Sequence, residues 1–219
     1  MRTLQQSRDY FSHQRPEVVG LLPRGVDSVL DVGCGAGAFG ALIKKSREEK
    51  FVRVVGVDRN HVALQEAEKV LDRVICFDLR SGFPDVEEAF DCIVFNDVLE
   101  HLEDPGACLT SAMQYLAPEG HVLVSIPNVR NHKVLRKLVL SGRWEYEDEG
   151  ILDRTHLRFF TRSSAIELLG RAGLEVAECI PIGRSRFPRW LAIMNFVMGN
   201  SLEDLRFQQF LFLCTRGER

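Results

Sequence analysis

Residues 29–40 read Val29-Leu-Asp-Val-Gly-Cys-Gly-Ala-Gly-Ala-Phe-Gly40, and this stretch decides the fold. The run Ser28–Asp31 (SVLD) reads as a first strand that ends in an acid, and glycines follow at 33, 35 and 37. Glycines so placed turn the backbone tightly from strand to helix and let a ligand approach main-chain atoms that side chains would shield. A helix is expected from about Ala36 to Lys45. The same alternation continues outward, with strands at Phe51–Val57, Arg73–Phe77, Phe90–Phe95 and His121–Ile126 and a helix over His61–Leu71. Strands alternating with helices imply βαβ units and a mostly parallel sheet. A helix over Arg162–Ala172 and strands over Leu174–Ile182 and Phe207–Thr215 complete the pattern. The charged, aromatic stretch 128–161 is long for a connection, which points to a lid or acceptor-binding insertion. Residues 1–219 are read as one domain that opens with an N-terminal helical segment, 1–24.

A chain of 219 residues has room for one α/β domain and little for a second. Its formal net charge of -3 argues against gripping nucleic acid by bulk electrostatics, while leaving a local basic stripe and a nucleic-acid acceptor open. The six cysteines are scattered without a CxxC pair, as in a reduced cytosolic protein. The opening MRTLQQSRDYF holds no apolar stretch, so a secretory signal is not expected and the cytoplasm is. The apolar stretch Phe187–Met198 is broken by Arg189 and too short to span a bilayer. Its Trp190–Met198 part suits core or homodimer packing first and shallow membrane contact second.

Gly35-Ala-Gly37-Ala-Phe-Gly40 also fits a dinucleotide fingerprint, with Asp58 about twenty residues on. Asp31 separates the readings. It stands where a dinucleotide would place its pyrophosphate, and a carboxylate there repels phosphate but attracts the ammonium and sulfonium of S-adenosylmethionine (SAM). Asp58, ending the second strand, suits a ribose diol, because one carboxylate accepts from two hydroxyls. Asp78, ending the third, suits an adenine amino group. After the fourth strand, Asn96 opens the floor of the site. On a helix, Asp97, Glu100 and His101 would share one face. Asp97 as N-cap and Glu100 at the third helical position also fit a capping box, which needs no chemistry. His101 is then left as a candidate general base for a hydroxyl acceptor.

VLDVGCGAG, the strand-terminal Asp58 and Asp78, and FDCIVFNDVLEHLEDP resemble the class I SAM-dependent methyltransferases over most of the chain. The resemblance implies a single Rossmann-like α/β domain with a mostly parallel seven-stranded sheet, helices on both faces and an antiparallel last strand. It implies SAM across the carboxyl ends of the strands, held by Asp31, Gly33, Gly35, Gly37, Asp58, Asp78 and Asn96. Asp97, Glu100 and His101 become the expected catalytic residues, and Arg15 is either a further SAM contact or a solvated helix start. The activity implied is O-methylation of a small-molecule hydroxyl by direct in-line transfer. A nicotinamide-dependent oxidoreductase and a SAM-binding protein without activity remain alternatives.

The stretch 142–161 together with SIPNVRN is similar to a bacterial subgroup associated with sugar and surface-polysaccharide metabolism. Trp144 and Tyr146 there suit either stacking on a sugar or phenolic ring or packing of a lid. Arg130, Lys133, Arg136 and Lys137 form a basic helical stripe, fit for a phosphate or for solvent. Asp97, Glu100 and His101 with the distant His156 are similar to the Glu-x-x-Glu-His plus distant His of metal-dependent RNA 2′-O-methyltransferases, and ubiquinone-pathway O-methyltransferases show a related arrangement. The resemblance therefore implies a divalent metal on these four residues, with Asp97 one methylene short of the pattern. Two carboxylates and two imidazoles suit manganese, iron, cobalt or zinc better than magnesium.

Overall fold

The computed structural model describes residues 16–47 and 51–217. Arg15 and most of the helical segment expected over 1–24 lie outside the described residues, within which that segment contributes a short helix, α1 (Pro16–Val19). β1 (Ser28–Val32) leads into α2 (Ala38–Ser46), β2 (Arg53–Asp58) into α3 (His61–Ala67), and β3 (Arg73–Cys76) and β4 (Phe90–Asn96) follow. Then come α4 (Pro105–Ala112), β5 (Leu116–Pro127), α5 (His132–Ser141), α6 (Arg162–Arg171), β6 (Leu174–Ile182), α7 (Arg189–Val197) and β7 (Gln209–Arg216).

All seven strands form one sheet in the order β3-β2-β1-β4-β5-β7-β6. The pairs among β1 to β5 are parallel, whereas β7 runs antiparallel to both β5 and β6. The sheet is thus mixed, and six of its strands point the same way. Side chains alternate across it as the pleat requires. Leu30 and Val32 of β1 enter a core shared with Leu109 of α4 and Leu169 of α6, while Val29 enters a second core with Ile43 of α2 and Leu64 of α3. Both faces are therefore covered by helices, and the central strands read as near-continuous apolar runs.

The helix starts are chemically marked. Asn60 accepts from the amides of Val62 and Ala63, Asp104 accepts from Ala107 with Pro105 next to it, and Thr161 with Ser164 forms a capping box. α4 was not among the expected helices, although its Asp-Pro start is a recognisable one. The region Trp190–Met198 departs from core packing. Only Leu191 and Asn195 of α7 are buried, and most of its apolar residues face outward.

Candidate active site

The strand-to-helix turn after β1 is held by the neighbouring strand, because the amides of Gly33 and Cys34 both donate to the carbonyl of Val57, at 2.7 and 3.1 Å. Gly33, Gly35 and Gly37 all take positive φ, at 78°, 53° and 80°. At Gly33 a Cβ would collide with the side chain of Val98, so glycine there lets the turn after β4 close over the turn after β1. At Gly35 the left-handed conformation alone excludes a branched residue. Gly37 forms the left-handed N-cap of α2.

The acids beside this turn are held in three different ways. Asp31 is buried, and among the described residues its Oδ2 has no hydrogen-bond partner. Burial, and then the nearby Asp58, pushes its carboxyl up to about 7. Asp58 is clamped by main chain. Its Oδ2 accepts from the Gly35 amide at 2.9 Å and its Oδ1 from the Asn60 amide at 2.7 Å. Asp78 lies two residues beyond the end of β3, where it caps a 3-10 turn through the Arg80 amide at 3.1 Å and pairs with the Arg80 guanidinium. That guanidinium holds its carboxyl down at about 2. Asn96 ends β4, and both polar atoms of its amide are buried without a partner among the described residues. Buried polar groups are normally satisfied. These atoms of Asp31 and Asn96, at the carboxyl ends of adjacent strands, could bond to a ligand.

The expected helix face over residues 97–101 does not form. Asp97 takes a left-handed φ of 54°, and Leu99–His101 is a 3-10 turn whose N-cap, Val98, makes no side-chain bond. There is accordingly no capping box. The Asp97 carboxylate instead accepts from Ser125 Oγ at 2.9 Å and from Gln209 Nε2, and Gln209 also donates to Ser125 at 2.9 Å. These three residues tie together the ends of β4, β5 and β7. Sequence reasoning passed over Ser125 and Gln209. Ser125 is the one hydroxyl in the apolar run of β5 that precedes Ile126 and was legible; Gln209 meets Asp97 only because β7 is inserted antiparallel between β5 and β6.

Glu100, His101 and His156 do come together, with one ligand atom from each lying within 4.8 Å of the others, and Asp97 stands outside this group. The segment 128–161 delivers His156. The amides of Leu157 and Arg158 donate to the Glu100 carbonyl at 2.8 and 3.0 Å, and the Arg158 guanidinium grips the Glu103 carbonyl. His101 Nδ1 donates to the Thr155 carbonyl at 3.2 Å, and His156 Nδ1 donates to the Ile151 carbonyl at 3.1 Å. A carbonyl only accepts, so both rings carry their proton on Nδ1 and a lone pair on Nε2. The His156 Nε2 lies 4.0 Å from Glu100 Oε1. Burial holds both imidazoles below the usual histidine value, and the neighbouring His156 lowers His101 further. Trp144 and Tyr146 pack around Phe159, at ring distances of 5.0 and 6.2 Å. The basic stripe is divided: Arg130 pairs with Asp204 and Lys137 with Glu147, while Lys133 and Arg136 are exposed.

Residues 4–178 match the sequence model of a methyltransferase domain. The chain belongs to the class I SAM-dependent methyltransferases. Two curated relatives of this methyltransferase are ubiquinone biosynthesis O-methyltransferases. That of Marinobacter nauticus is 29% identical over 159 residues, 68% of this chain and 64% of its own. That of Pseudomonas paraeruginosa is 30% identical over 178 residues, 78% of this chain and 74% of its own. The chain thus spans slightly less than two thirds of one relative and about three quarters of the other. A SAM-dependent methyltransferase from Archaeoglobus fulgidus shares the fold, with a TM-score of 0.64 at 18% identity over 96% of this chain and 98% of that one. Membership in the methyltransferases sets aside the dinucleotide reading of the glycine turn, as Asp31 had indicated. Among the described residues no helix is long and apolar enough to cross a membrane.

Proposed function

We propose that this methyltransferase transfers the methyl group of SAM to a hydroxyl oxygen of a small molecule of the phenol or sugar type. The observation that carries the cofactor half is the pair of unpartnered buried groups, Asp31 Oδ2 and the Asn96 amide, beside the turn of Gly33, Gly35 and Gly37. When bound, SAM supplies an electrophilic methyl on a sulfonium. Asp31 then neutralises the ammonium, and Asp58, held open by two main-chain amides, accepts from the ribose diol. Asp78 is the candidate partner of the adenine amino group, in competition with Arg80. Asn96 offers its amide to the same ligand. Direct in-line displacement needs alignment and the removal of one proton, with no covalent enzyme intermediate. His101 and Glu100 are the groups placed to take that proton, and an imidazole already kept neutral by burial is a competent base at neutral pH. Asp97 acts on this site through the turn it anchors to Ser125 and Gln209. The name of the curated relatives favours oxygen as the accepting atom. The test is transfer from labelled SAM to pooled metabolites sorted by chemical class. Label on hydroxyl-bearing products is expected, and label confined to amines or carbon would overturn the reading.

A second reading concerns the metal, and the cluster of Glu100, His101 and His156 favours it. One buried carboxylate and two imidazoles with Nε2 lone pairs, each oriented by a carbonyl on Nδ1, fit a transition-metal ligand set. The fit is to three ligands, because Asp97 is engaged elsewhere. A bound metal would lower the pKa of an acceptor hydroxyl. Purified protein should carry zinc, manganese, iron or cobalt, and chelation should stop turnover until metal is restored. Full activity after complete chelation would leave His101 as a plain base.

A further inference from the structure

The connection between β6 and β7 carries an exposed apolar surface that neither cofactor nor acceptor explains. β7 is antiparallel to both its neighbours, so β6 points the same way as β5. The chain leaving β6 therefore emerges on the same edge of the sheet as Asp31, Asp58 and Asn96. There α7 is anchored from within by Leu191 and by Asn195, whose amide donates to Glu203 Oε2 at 2.9 Å and accepts from the Leu202 amide at 2.8 Å. On its outer side Trp190, Ile193, Met194 and Val197 recur at i, i+3, i+4 and i+7, with exposures of 59, 66, 39 and 77%. A surface helix normally shows the reverse polarity, and an outward apolar stripe of this kind marks a contact surface.

The charge around the stripe selects the partner. Residues 184–198 contain three arginines and no acid. Arg184 reaches Glu203 at 3.7 Å, whereas Arg186 and Arg189 are exposed and have no carboxylate partner among the described residues. A two-fold pairing of this chain with itself would gather the arginines of both copies in one interface, with no acid from either 184–198 segment to offset them. A partner with an anionic surface over an apolar interior satisfies both features at once. Tryptophan beside arginine at such a boundary is the composition of helices that lie in a membrane interface.

We propose that the outer side of α7 seats this methyltransferase on an anionic lipid bilayer, with the carboxyl edge of the sheet toward the headgroups. The proposal does not depend on which acceptor is methylated. The test is sedimentation of the full chain with vesicles of phosphatidylcholine alone or mixed with phosphatidylglycerol. The parent should pellet with the mixed vesicles and be released by salt. Trp190→Ser with Ile193→Ser should lower the partition coefficient about tenfold or more. Arg186→Gln with Arg189→Gln should lower it for the mixed vesicles only. SAM titration of both variants at parental affinity would show that they remain folded. A parent that stays in the supernatant, or a serine variant that pellets like the parent, overturns the proposal. So does a parent that dimerises through this stripe in analytical ultracentrifugation without binding vesicles.

Discussion

Asp31 and Asp58 lie at the ends of neighbouring strands, one with a buried carboxylate oxygen that has no partner among the described residues and the other clamped by two amides. A few residues along the same edge, His101 and His156 are kept neutral by burial and oriented by main-chain carbonyls. The first arrangement suits a cation that arrives and leaves; the second suits a proton or a metal. The two regions also differ in how they are built. The acidic one is local, with Asp31 next to the last residue of β1, Asp58 the last of β2, and the glycine turn lying between them in sequence. The imidazole one is assembled by a loop that returns from residue 156 to residue 100 and is stitched there by main-chain bonds. On the proposed reading, recognition of the cofactor rests on the strand ends, and the chemistry at the acceptor on a segment docked onto them.

Gly35→Val should have the largest effect and abolish SAM binding in calorimetry, because a β-branched residue cannot sit at a φ of 53° without moving the turn that presents its amide to Asp58. His101→Ala should cost on the order of a hundredfold or more in turnover while SAM affinity stays within about twofold of the parent. A comparable loss in both quantities would mean that the two regions are not separate.

The pH dependence of Asp31 tests the acidic region by itself. Its folded value, about 7, lies above the ordinary 3.8, so the folded chain keeps a proton that the unfolded chain has lost. The associated stability, about 4 kcal/mol for a shift of this size, is full below pH ~4 and lost as pH rises through 7. The melting temperature of the ligand-free protein should therefore fall between pH 5 and pH 7.5, to the extent set by this one group. An ammonium beside the ionised carboxylate reverses the balance, so SAM affinity should rise over the same interval, up to the titration of SAM's own amine at about 8. Asp31→Asn should flatten both profiles, as read by thermal shift with and without SAM.

The difference between the regions also explains what was legible in the sequence. β1, its glycine turn and the strand-terminal Asp58 follow from short-range patterns, and β6 runs over Leu174–Ile182 as expected. Asp78 shows the limit of that logic, since β3 ends at Cys76 and the acid belongs to a turn that Arg80 neutralises. The run from Asp97 to His101 carried the spacing of a helix and of a capping box. Tertiary demands overrode both: the turn must bend sharply to pack Val98 over Gly33, and Asp97 bonds across the sheet to Gln209. A partner that far away in sequence, on a strand inserted out of order, leaves no periodic trace. The outward side of α7 was equally hidden, because an apolar run reads the same whether it faces a core or solvent.

On the proposed reading the strand-end acids divide SAM between them, Asp31 taking the ammonium and Asp58 the ribose. Calorimetric titration of the parent, Asp31→Asn and Asp58→Ala with SAM and with adenosine tests it directly. Asp31→Asn should weaken SAM roughly ten- to hundredfold, the range for hydrogen bonds to a charged group, and leave adenosine unchanged, whereas Asp58→Ala should weaken both. Parental SAM affinity in both variants would contradict this division of the cofactor.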